Sequence, residues 1–129
     1  MNASRDGVGR EGQIAVVEEL PDSIYSIRFI LESLGYKVGS VACQSDYLDR
    51  LRDLAPKLIV VDMLIPAQGG LRAISELKSS DLKDVPTMAI TADAVALGEE
   101  ALLEAGFDDL LNKPYTVAQL QEKLDAYVG

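Results

Sequence analysis

The chain has 129 residues, 48% apolar and 26% charged, with a formal net charge of −9. That is enough for one globular domain with one sizeable core, and no apolar run approaches the roughly 20 residues a membrane span needs. The acidic balance argues against nucleic-acid binding, which needs Lys and Arg clusters, and the absence of histidine removes Ser-His or Cys-His catalysis and His-containing zinc sites.

The opening "MNASRDGVGREG" is polar and Gly-rich, so residues 1–12 are read as a flexible tail without the apolar stretch of a signal peptide. A lone cysteine, Cys43, cannot close an internal disulfide, which fits a reducing, cytoplasmic compartment. "IAVV", from Ile14 to Val17, predicts a strand. Ser23 to Leu34 predicts a helix carrying Ile24, Ile27, Phe29, Ile30, Leu31 and Leu34, stopped by Gly35. Tyr36 to Ala42 alternates like a strand. Ser45 to Leu54 predicts a helix with Tyr47, Leu48, Leu51 and Leu54 on one face. Pro56 leads into a third strand, Leu58 to Val61.

The second half keeps the rhythm. Gly70 to Leu77 predicts a helix with Leu71, Ile74 and Leu77 as its apolar stripe. Thr87 to Thr91 is a strand entered through Pro86. Leu97 to Ala105 is a helix ended by Gly106, and Phe107 to Leu111 contains a short strand. Thr116 is the N-cap of a last helix holding Val117, Leu120, Leu124 and Val128. Strands alternating with helices, some of them unbroken apolar runs, predict an α/β domain over residues 13–129: a parallel sheet covered on both faces.

Ligands of such sheets gather outside the carboxyl ends of the strands. Glu18 and Glu19 stand after strand one, Asp62 after strand three, Thr91 at the end of strand four, and Lys113 just beyond strand five. Strand two ends in the uncharged "ACQ", as an edge strand would. Taken singly, each residue has a plain explanation: Asp62 as a turn or cap residue, Glu18 and Glu19 as solvated loop, Thr91 as a β-branched strand residue, Lys113 as surface charge. As a set they do not. Three carboxylates at one edge repel one another unless a cation intervenes, and a hard divalent ion such as Mg²⁺ takes oxygen ligands. Lys113 adds a fixed positive charge and Thr91 a hydroxyl, a constellation suited to a phosphoryl group.

These segments resemble the response-regulator receiver domains of two-component signalling, over about Gln13 to Val128. "VVEELPDS" is similar to the family's acidic-pair segment, and "VVDMLIPAQGG" to its phosphoacceptor segment, with Pro66 and Gly70 at the family's spacing. "AITADA" carries the hydroxyl residue Thr91 and the small residue Ala92, and "EAGFDDLLNKPY" the Lys113–Pro114 pair. The last two segments look most like receivers of hybrid histidine kinases; a stand-alone single-domain regulator is the other form considered.

The resemblance implies a flavodoxin-like (βα)5 fold with strand order 2-1-3-4-5. It implies that Asp62 accepts a phosphoryl group from the phosphohistidine of a histidine kinase or histidine phosphotransfer protein. Glu18, Glu19, Asp62 and the backbone carbonyl of Leu64 would surround Mg²⁺, while Thr91 and Lys113 would contact the phosphoryl oxygens. It implies a cis Lys113–Pro114 bond, and a downstream protein partner on the face of helix 4, strand 5 and helix 5, which includes Leu97 to Ala105 and Leu110. The chain would be a signalling domain that at most catalyses its own phosphorylation and dephosphorylation, a monomer or weak dimer, without nucleic acid or membrane.

Three positions depart from the family pattern. Glu19 replaces the usual Asp and is one methylene longer, so it would hold a metal through water or crowd it. Leu64 is apolar where polar side chains are common, which predicts slow loss of the acyl phosphate. Leu110 stands where Tyr or Phe normally swings with the threonine. These departures motivate an alternative, a degenerate receiver acting as a phosphorylation-independent interaction module. A haloacid-dehalogenase-type phosphatase would need an acid at Leu64, and a dinucleotide-binding fold a G-x-G-x-x-G after strand one; both are missing.

Overall fold

The computed structural model describes residues 13–18, 27–42, 46–63, 67–92 and 98–128. Five parallel strands, β1 (Gln13–Glu18), β2 (Lys37–Ala42), β3 (Leu58–Asp62), β4 (Thr87–Thr91) and β5 (Asp109–Asn112), form one sheet in the order β2-β1-β3-β4-β5. The helices are α1 (Ile27–Ser33), α2 (Tyr47–Leu54), α3 (Ala67–Lys78), α4 (Glu99–Ala105) and α5 (Val117–Val128). This is the flavodoxin-like arrangement expected from the sequence.

Alternation along the strands sorts their side chains into two cores. Ile14, Val16, Leu58, Val60, Met88 and Ile90 pack with Ile27 and Leu31 of α1 and Leu120, Leu124 and Val128 of α5. Ala15, Val17, Ile59, Val61 and Ala89 pack with Leu51 of α2, Ile74 and Leu77 of α3 and Leu102 of α4. Both faces of β1, β3 and β4 are thus covered, which is why those strands need unbroken apolar runs. Each fully buried aliphatic side chain contributes about 1.5–3 kcal/mol.

The helix ends follow from local chemistry. Gly35 (φ 97°) and Gly106 (φ 126°) occupy the left-handed region that side chains disfavour. At each, the glycine N–H and that of the next residue bond back to the last turn, Gly35 and Tyr36 to Glu32 and Leu31, Gly106 and Phe107 to Leu103 and Leu102. Thr116 caps α5 as expected and does so reciprocally: the Gln119 N–H donates to Thr116 Oγ1 at 3.0 Å, and the Thr116 N–H to Gln119 Oε1 at 2.9 Å.

Several expectations are corrected. Helix α3 begins at Ala67 rather than Gly70. Gly70 lies inside the helix, where a Cβ would come within 2.7 Å of Met63 Cε, so its smallness serves close packing on the residue after Asp62. Leu71 is exposed, and the buried face of α3 is Ala73, Ile74 and Leu77. Phe29 and Val117 are also exposed, Phe29 on the side of α1 away from Ile27 and Leu31 and Val117 in the first turn of α5; the Arg28 guanidinium lies 4.9 Å from the Phe29 ring centroid. Glu18 and Asp62 end β1 and β3, each strand running one residue past its apolar run. Ser23, Ser45, Glu19, Leu64, Pro66 and Leu97 lie outside the described residues.

Candidate functional site

The sheet register builds the site. Val17 pairs with Val61, so the next residues, Glu18 and Asp62, end adjacent strands side by side. Both follow the even-numbered parity of Ile14, Val16, Leu58 and Val60, whose side chains face α1 and α5. Thr91 follows Ala89 in facing the α2–α4 layer and pairs with Asn112, the last residue of β5. Lys113 continues from that end, its N–H donating to the Thr91 carbonyl at 2.8 Å. The following Lys113–Pro114 bond is cis, as expected.

Asp62 is the centre of this arrangement. Its side chain is only 7% exposed, and Lys113 Nζ donates to its Oδ1 at 3.1 Å. Glu18 is also buried, and Ser40 Oγ of β2 donates to its Oε2 at 3.1 Å. Thr91 is buried and Ala92 exposed. Leu110 is half-buried against the α2–α4 core, and Pro114 is exposed. Glu18, Asp62, Thr91 and Lys113 therefore come together at one edge of the sheet.

Two functional neighbours escaped the sequence reading. Ser40 gives β2 an uncharged polar group beside Glu18, two residues before the strand end; the signal was its shared parity with Val38, which also faces α1 and α5. Tyr115, two residues beyond Lys113, is half-buried, and its phenol is pushed above the ordinary value by burial first and then by the negative charge of Asp62.

The donor set fits a hard cation. Two buried carboxylates end adjacent strands, and Asp62 meets the Lys113 ammonium; like charges at about 4 Å repel by about 4 kcal/mol even at an effective dielectric of about 20. Carboxylate oxygens are the ligands Mg²⁺ prefers, and it binds through one or two of them while keeping several waters. The described residues hold no cluster of three metal-binding side chains, and such an ion does not require one.

Comparison with known proteins decides the family. The profile of the response regulator receiver domain matches residues 14–125. The chain belongs to the receiver-domain family. The receiver is 29% identical over 117 residues to the polar-differentiation response regulator DivK of Brucella anthropi, an alignment covering 90% of this chain and 95% of that protein. Its fold is similar to the receiver domain of a sensor histidine kinase from Pseudomonas aeruginosa, solved with a magnesium ion coordinated in the active-site cleft: TM-score 0.72, 32% identity, 92% of this chain and 98% of that one. It is likewise similar to the receiver of a signal transduction histidine kinase from Syntrophus aciditrophicus, with TM-score 0.70, 29% identity and coverage of 89% and 88%. The receiver is thus a signalling domain of two-component systems. No described helix is long and apolar enough to cross a membrane.

Proposed function

We propose that residues 13–129 form a phosphorylation-dependent switch in which Asp62 is the phosphoacceptor. The observation that carries this reading is the Asp62 carboxylate, buried at the carboxyl end of a central strand and held 3.1 Å from Lys113 Nζ. A carboxylate oxygen attacks phosphorus of a phosphohistidine; the new O–P bond forms as the P–N bond breaks, and the electron pair leaves on the donor imidazole, which takes up a proton. In this reading Lys113 neutralises charge spreading over the phosphoryl oxygens, and the Thr91 hydroxyl, at the end of the neighbouring strand, donates to one of them. Glu18 and Asp62, with Glu19 and the Leu64 carbonyl from outside the described residues, are the groups that would hold Mg²⁺, which when bound supplies further neutralisation of those oxygens.

The donor is a histidine kinase or histidine phosphotransfer protein, in the cytoplasm. The added charge biases Thr91, and through the β4–α4 connection the α4–β5–α5 face on which a downstream protein docks. The switch acts as a monomer or weak dimer. Intact-mass measurement after incubation with Mg²⁺ and acetyl phosphate tests the reading. One phosphoryl group should be gained, and the gain should vanish in Asp62→Asn. A gain that persists in Asp62→Asn would move the acceptor elsewhere. No gain with acetyl phosphate or a phosphorylated histidine partner would favour the degenerate, interaction-only receiver.

A further inference from the structure

The geometry points to Ser40 as a positioning residue that orients Glu18 toward β2 and so sets how the site grips its divalent cation. This rests on the reading above that Glu18 and Asp62 flank Mg²⁺. The register pairs Val16 with Ser40 and Glu18 with Ala42, so the Ser40 hydroxyl meets the Glu18 carboxylate diagonally, two residues back along β2. Reaching that oxygen folds the glutamate back along the sheet and toward its edge, while Asp62 sits on the opposite neighbour of β1. A carboxylate has about four lone-pair positions. Accepting from Ser40 therefore fixes its rotation without exhausting its capacity to meet a metal-bound water.

The backbone that carries Ser40 is itself pressed into place. Gly39 lies against Leu54 of α2, whose Cδ2 would come within 2.6 Å of a Cβ there. Glycine thus lets α2 close onto β2 one residue before the serine. Hydrogen bonds to ligating groups tune metal affinity because they hold the ligand in one orientation and set its basicity. A glutamate, with one more rotatable bond than aspartate, has more to gain from such a hold.

The test uses the full chain and Mg²⁺ as the probe, followed by titration calorimetry. Ser40→Thr keeps the hydroxyl and Ser40→Val removes it at nearly constant shape, and both suit a strand. The Mg²⁺ Kd of Ser40→Val should be weakened roughly tenfold relative to Ser40→Thr. In a Glu18→Gln background the two should agree to within about twofold, as expected if serine acts through the glutamate. In EDTA, Ser40→Val should melt below Ser40→Thr because Glu18 loses a donor. The Mg²⁺ Kd and its loss of difference in the Glu18→Gln background, not the melt, therefore separate a positioning role from a structural one. Equal Kd values for Ser40→Thr and Ser40→Val overturn the proposal, whether or not Asp62 gains a phosphoryl group. Absence of Mg²⁺ uptake by the unmodified chain overturns both this proposal and the metal-dependent reading. Uptake without phosphoryl gain overturns the phosphoacceptor reading alone, and the serine arms still decide.

Discussion

The two ends of the sheet each hold an aspartate–lysine pair. At the carboxyl end, Lys113 meets Asp62 at 3.1 Å; beyond the amino end of β4, Lys78 lies 3.8 Å from Asp108. The lysines are almost equally exposed, at 28% and 30%, but Asp62 is 7% exposed and Asp108 is 44%. The deeper acid is the one we propose as the phosphoacceptor. Asp108 instead serves the strand: its Oδ2 accepts the Thr87 N–H at 2.8 Å and the Thr87 hydroxyl at 3.3 Å. Equal residue types thus do unequal work, and what separates them is how far water is excluded from the carboxylate.

Variants can break this contrast. The largest effect should come from Lys113→Ala, which leaves the charge on the phosphoryl oxygens poorly neutralised. The phosphorylation rate should fall by about 10²-fold, with product still forming on long incubation and a smaller change in amide shifts of α4, β5 and α5. A normal rate and response would remove Lys113 from the mechanism. Asp108→Ala should act on the fold instead, costing about 1–2 kcal/mol through the orphaned Thr87 N–H, seen as a lower urea midpoint with phosphorylation unchanged. The smallest effect belongs to Lys78→Ala: an exposed pair contributes about 0–1 kcal/mol, so the same denaturation curve should barely move. A large shift there would mean the two ends differ less than their exposures imply.

Much of this layout is readable in the sequence for a physical reason. Strands buried on both faces cannot alternate, so "IAVV", "LIVV" and "TMAIT" stand out, and a polar residue ending such a run is conspicuous. Edge positions are harder. Ser40 lies in an edge strand whose burial pattern is mixed, where a serine is unremarkable until the register brings it to Glu18. Helical spacing likewise does not say where a buried stripe ends: Leu71 has the spacing of Ile74 and Leu77 and is exposed. Gly70, a helix start by sequence, lies inside α3 and makes room for Met63. Asp108 gave no sign of its capping role, because the strand start it serves lies 21 residues earlier in the chain.

Tyr115 turns the site into its own gauge. The chain contains no tryptophan and only five tyrosines, so its near-ultraviolet spectrum is sparse. The Tyr115 phenol is raised by burial and then by the charge on Asp62. Because the folded state holds that proton more tightly, the ring's contribution to stability is complete below the ordinary phenol value and is lost as pH climbs through the raised one. Negative charge gained at Asp62 pushes the phenol further up, and a cation gathered there draws it back. Alkaline difference spectra against Tyr115→Phe would therefore follow the occupancy of the strand ends optically, without a label.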